Sequence, residues 1–118
     1  MARNDYYVIV YKILSYLYAC LKNSAVPDLD EISAESPKID IGRAYWNYIM
    51  LHLLEEGLIE GAFRVDMGDT QGIKFAPNFS ITPKGITYLE ENTMIKKVER
   101  FMGNQLIKTA SGLLGLKL

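Results

Sequence analysis

The sequence predicts an α+β, mostly helical fold: a winged helix-turn-helix of three helices and a two-stranded wing hairpin, followed by a C-terminal helical extension. Three observations predict it. Apolar residues recur at helical spacing in stretches that end at Gly57. Two extended segments then flank a turn carrying Gly68 and Gly72. Thr82-Pro83 opens a further helix. A compact trihelical unit running into a hairpin is the winged-helix order. The 118 residues suit one domain, divided as a winged helix over 1–92 and an extension over 93–118 that packs on the first helix or on a second subunit.

The first helix is expected over 4–22, with Asn4 or Asp5 as cap. Positions 7, 10, 14, 17 and 21 form one apolar stripe and 6, 9, 13, 16 and 20 a second, so this helix is buried on more than one side. Residues 6–21 are too short for a membrane span of roughly 20 apolar residues, and Lys12 interrupts them. Asp5 and the bulky Tyr18 argue against a secretory signal. Asp28-Leu29-Asp30-Glu31 has capping-box spacing. It predicts a two-turn helix that buries Leu29 and Ile32 and breaks at Ser36-Pro37.

The third helix is expected over 40–56, capped by Asp40 and stopped by Gly57, with Trp46, Ile49, Met50 and Leu53 as its core face. Strands over 58–66 and 72–79 flank the turn. Thr82 caps the next helix, Pro83 occupies its first position, and Ile81 and Ile86 have the spacing of a hydrophobic staple. That helix runs to about 91. The last, amphipathic helix spans 93–109, with Ile95, Val98, Phe101, Met102 and Leu106 as its apolar face.

Composition narrows the function classes. Hydrophobic residues make up 49% of the chain and mean hydropathy is +0.02, which leaves apolar surface for a partner. The net charge of −1 supplies no global basic field. The distribution is uneven: residues 28–69 hold ten acids against three bases, a net of −7, and residues 94–118 hold five bases against one acid, a net of +4. A single cysteine, Cys20, allows no internal disulfide and suits a reducing, cytoplasmic setting. One histidine and no Cys/His cluster argue against zinc. No cofactor is expected.

No catalytic constellation stands out, and the expectation is that the protein is not an enzyme. His52 has Glu55 and Glu56 as i+3 and i+4 neighbours, the spacing of a surface ion pair. The adjacent carboxylates Glu55-Glu56 and Glu90-Glu91 diverge on a helix. Cys20 lies in an apolar helix and reads as core.

Two segments carry a family resemblance. Leu53-Leu54-Glu55-Glu56-Gly57-Leu58-Ile59 resembles the end of a winged-helix recognition helix entering the wing. Ile81-Thr82-Pro83-Lys84-Gly85-Ile86-Thr87-Tyr88-Leu89 resembles the strand-to-helix step after it. With the continuation Glu90-Glu91-Asn92-Thr93-Met94-Ile95-Lys96-Lys97, the chain is similar over about 43–102 to the YjcQ family, small winged-helix proteins of bacteria and their prophages. The resemblance implies a fold and a phage-like context, and no activity.

Two binding readings follow, of which DNA binding leads because it is the default for this fold, with a protein-interaction module as the alternative. As a regulator of transcription, the protein would place its third helix in the major groove of double-stranded DNA. Arg43 and Asn47 would read bases, Tyr48 would meet a phosphate, and the wing would offer Arg64 and Lys74. Lys84, Lys96, Lys97 and Arg100 would add positive charge. The −7 segment that contains this helix opposes phosphate binding. As an interaction module, the same helix would present Tyr45, Tyr48, Leu51 and His52 to another protein. The apolar first helix and the amphipathic last one suggest a homodimer.

Overall fold

The computed structural model describes residues 5–102. Helix α1 spans Tyr6–Lys22, a single 3₁₀ turn follows at Leu29–Glu31, and α2 spans Arg43–Glu55. Strands β1 (Ile59–Asp66) and β2 (Gln71–Ile81) form an antiparallel hairpin, and α3 (Pro83–Glu91) and α4 (Thr93–Met102) complete the order. The arrangement is a winged helix-turn-helix whose second helix is reduced to one turn.

Helix α1 is the centre of the core. Ten of its residues are buried, among them Ile9, Ile13, Leu14, Tyr16 and Leu17. It packs on α3, α4 and β2, which accounts for its two apolar stripes. Its polar interruptions hold the connection to α2. The Lys12 ammonium donates to the Lys38 carbonyl at 2.8 Å, and the Tyr16 hydroxyl accepts from the Asp28 N–H at 2.8 Å. Asp5 precedes the helix without a side-chain capping bond, so the expected Asp5 cap is absent. Asn4 lies outside the described residues.

The connection corrects two expectations. The Asp28 carboxylate caps as expected, accepting from the Asp30 N–H at 3.0 Å. Glu31, however, pairs with Lys38 at 3.5 Å and does not reach back. The two-turn helix is absent because successive turns use the backbone groups a helix would need. Ser36 N–H donates to the Ser33 carbonyl, Ile39 and Asp40 N–H both donate to the Ser36 carbonyl, and Ile41 N–H returns to the Ala34 carbonyl. Ile32, Ala34 and Ile39 are buried, whereas Leu29 stays 38% exposed. Asp40 has a left-handed φ of 52°, a conformation Asp tolerates. Helix α2 therefore starts three residues later than expected, after Gly42, with no side-chain cap.

Trp46, Ile49, Met50 and Leu53 are all buried, as their spacing predicts. At the end of α2, Gly57 is left-handed at φ 74°. Its N–H donates to the Leu54 carbonyl, and that of Leu58 to the Leu53 carbonyl. This Schellman stop turns the chain into β1.

The hairpin is less regular than its sequence suggests. Glu60 pairs with Ser80, but Ala62 pairs with Phe75. Gly61 alone therefore faces Ala76-Pro77-Asn78-Phe79, a wide excursion of β2. Pro77, which has no N–H to offer a ladder, sits where the ladder is broken. Phe79 turns back into the core and stacks on Phe75 with ring centroids 4.6 Å apart.

The entry to α3 is as its sequence predicts. Thr82 Oγ1 accepts from the Gly85 N–H at 3.0 Å and donates to the Gly57 carbonyl at 2.5 Å, with Pro83 in the first turn. One threonine thus caps α3 and ties it to the end of α2. The Asn92 side chain caps α4, accepting from Met94 and Ile95 N–H at 3.0 and 3.1 Å. Ile95 and Val98 are buried, and α4 packs on α1 and α3. Phe101 departs from the expected apolar face and is 66% exposed. The expected continuation to residue 109, including Leu106, lies outside the described residues. No helix among the described residues is long and apolar enough to cross a membrane.

Candidate partner-binding face

Burying Trp46, Ile49, Met50 and Leu53 turns the other side of α2 outward. Arg43 and Tyr48 are exposed; Asn47, Leu51 and His52 are half-buried. Tyr48 stacks on His52 across one helical turn, with ring centroids 4.3 Å apart. His52 Nδ1 lies 3.7 Å from a Glu55 carboxylate oxygen.

The two arginines near this face are already engaged. Arg43 makes two contacts with the Glu35 carboxylate, at 2.5 and 2.6 Å. Its guanidinium also lies 5.0 Å from the Trp46 ring centroid, a cation–π distance. The hydrogen bonds from Arg43 hold the Glu35 carboxyl below its usual range. Arg64 donates to Glu55 at 2.8 Å and also to Gln71. Exposed pairs of this kind are worth about 0–1 kcal/mol, so they orient both arginines without locking them. Their larger consequence is that a carboxylate accompanies each cation.

The remaining basic candidates are distributed over other surfaces. The register places Arg64 opposite Ile73 and Phe63 opposite Lys74. Because side chains alternate along a strand, Lys74 lies on the hairpin face opposite to that of Arg64. Lys96, Lys97 and Arg100 belong to α4, which packs on α1 and α3, whereas α2 packs on the hairpin. Lys96 is paired with Glu99 at 3.3 Å. Arg43, Asn47, Tyr48, Leu51, His52 and Arg64 thus share one neighbourhood, and Lys74, Lys96, Lys97 and Arg100 do not join it.

What does gather beside α2 is aromatic. Tyr6, Tyr7, Tyr45, Tyr48 and Tyr88 come from three helices, and they are five of the eight tyrosines in the chain. Tyr6 and Tyr7 stack edge to face at 5.2 Å. Burial, then the nearby Glu56 carboxylate and the phenolic groups of Tyr7, Tyr48 and Tyr45, push the Tyr6 hydroxyl up to about 12. Burial, then Tyr6, Tyr7 and Glu56, push Tyr88 up to about 12. Burial and Asp5 raise Tyr45. The sequence reading named Tyr45 and Tyr48 but missed Tyr6, Tyr7 and Tyr88, because nothing in their spacing links them to α2.

These shifts define an alkaline limit. A tyrosine whose folded pKa is raised is protonated in the fold when it is already ionised in the unfolded chain. The stabilisation is fully present below pH 10, the unfolded value, and is lost as pH rises through about 12. Tyr16, pushed up to about 12 by burial, adds to it. We expect a spectrophotometric titration to show Tyr6, Tyr16 and Tyr88 ionising only as the protein unfolds. Uniform titration of all tyrosines near pH 10 in the folded protein would contradict this.

Cys20 is buried and its thiol is raised by that burial, the setting of a packing residue. Among the described residues, no three His, Cys, Asp or Glu side chains gather as metal ligands would.

A family model described as YjcQ protein matches residues 11–108, which is most of the chain. It begins inside α1, well before the segment that carries the resemblance in the sequence. No curated protein and no solved structure matches.

Proposed function

The chain belongs to the YjcQ family, and from that premise we propose that it is a binding module without enzymatic activity, whose α2 face takes a protein partner in preference to duplex DNA. The observation that carries this reading is the exposed Tyr48, stacked on His52 beside a cluster of tyrosines from α1 and α3. Tyrosine is enriched where interfaces are anchored, because it offers large, stiff contact area. Asp5, Glu55 and Glu56 lie beside that centre, and Glu35 pairs with Arg43 at the start of α2. The complementary surface is apolar in the middle and basic at its rim. The phage or prophage setting implied by the family resemblance and the cytoplasmic location suggested by the single cysteine belong to the same proposal.

Duplex binding draws support from the fold itself, which puts α2 where such domains carry a reading helix. The charge distribution works against it. Phosphate neutralisation supplies most non-specific affinity, and here each arginine beside α2 already faces a carboxylate.

The deciding experiment titrates the protein into a fluorescent random-sequence duplex at about 25 and then about 150 mM salt. We expect no binding at either. Affinity that falls steeply with salt would overturn the reading and make DNA the partner. In parallel, proteins retained from a host extract by the wild-type chain should be lost with Tyr48→Asp. Retention unchanged by that variant would remove α2 from consideration.

A further inference from the structure

A second apolar surface shares no residue with the α2 face. The β2 excursion and the connection after α1 enclose a groove of about 290 Å³ lined by Val26, Pro27, Leu29, Phe75, Ala76, Pro77 and Phe79. A dry cavity of about 150 Å³ holds benzene, so the groove has room for an aromatic ring. Asp28 and Asp30, both exposed, flank the lining residue Leu29 in the chain and put negative charge beside the groove. Lys74, next to Phe75 in the chain, points to the opposite face of the hairpin.

We propose that this groove receives Phe101 of a second copy of the chain. Phe101 is 66% exposed, more than Tyr48 at 56% or Phe63 at 50%. Lys97, one helical turn before it, and Arg100, beside it, are both exposed and make no ion pair among the described residues. An aromatic side chain accompanied by two cations thus meets an apolar groove accompanied by two carboxylates. The exposed apolar groups of the wing fit less well. Phe63 and Met67 lie on the wing near Asp66 and Asp69, whose charge the groove repels. The contact joins the −7 middle of one chain to the basic end of another. If each copy inserts Phe101 into the other, the pair closes as a two-fold dimer.

The test is sedimentation equilibrium of the full chain, with circular dichroism to verify folding. The wild type should self-associate, and less so at high salt. Three variants should each weaken association by about tenfold or more: Phe101→Ser, Lys97→Glu with Arg100→Glu, and Asp28→Asn with Asp30→Lys. Asparagine at 28 keeps the oxygen that caps Asp30 N–H, so the turn is preserved. Mixing the two charge-altered proteins should restore association, because one supplies a basic groove and the other an acidic helix end. A monomeric wild type, association indifferent to all three variants, or a mixture that stays monomeric would each overturn the proposal. Tyr48→Asp should leave self-association intact. Its loss there would make the α2 face the contact between copies and overturn the groove, whereas failure of the groove variants alone leaves the α2 proposal to its own test.

Discussion

Alanine at Gly61 is expected to destabilise the protein by about 3 kcal/mol, a large share of a total stability of about 5–15 kcal/mol. Two costs add. Gly61 sits at φ 74°, a left-handed conformation that costs an L-residue about 1–2 kcal/mol. An added Cβ would also lie 2.5 Å from the Phe79 nitrogen and 2.6 Å from the Asn78 carbonyl carbon and oxygen. Those are backbone atoms, so relief requires the whole excursion of β2 to move, and Phe79 with it. Urea unfolding measures the loss. Gly68→Ala is the control: φ is 84°, but a Cβ there meets nothing within 4 Å, so only the conformational part should appear. Equal losses at the two positions would mean that the close approach to β2 costs nothing.

Trp46→Ala should cost about 3–5 kcal/mol, the usual range for deleting a buried indole. Trp46 packs edge to face on Phe75, and its indole N–H donates to the Ile32 carbonyl at 2.8 Å in the buried interior. Trp46→Phe separates the two roles. It keeps much of the volume but leaves the Ile32 carbonyl without its partner, at a cost of about 1–3 kcal/mol. The same bond fastens the 28–40 connection to α2, so amide exchange within that connection should accelerate in both variants. Unchanged exchange there would show that Ile32, Ala34 and Ile39 anchor the segment without help from Trp46.

The two variants probe the features least legible in the sequence. The stop at Gly57, the Thr82-Pro83 start and the core face of α2 were all readable, because each depends on residues within one or two turns of one another. The helix expected after Asp28 was not. Its capping signal was real, yet the turns through Ser33, Ser36 and Asp40 and the anchoring of Ile32 by Trp46 prevailed over it. Phe101 was assigned to an apolar face by periodicity alone. Periodicity cannot say which positions on a stripe have a neighbour to bury them, and here only Ile95 and Val98 are fully covered.

The candidate face divides in the same way. Arg43, Asn47, Tyr48, Leu51 and His52 lie on one helix and could be grouped from spacing. That Arg43 meets Glu35, that Arg64 meets Glu55, and that Lys74 lies on the far side of the hairpin follow from packing and strand register. Sequence by itself determined the helix boundaries that rest on local caps, the apolar identity of α1 and the acidic middle of the chain, because these are properties of neighbouring residues. Only the tertiary structure decided which charges meet and which tyrosines assemble beside α2. It also decided where the β2 excursion opens a groove, because each of these depends on groups brought together from distant parts of the chain.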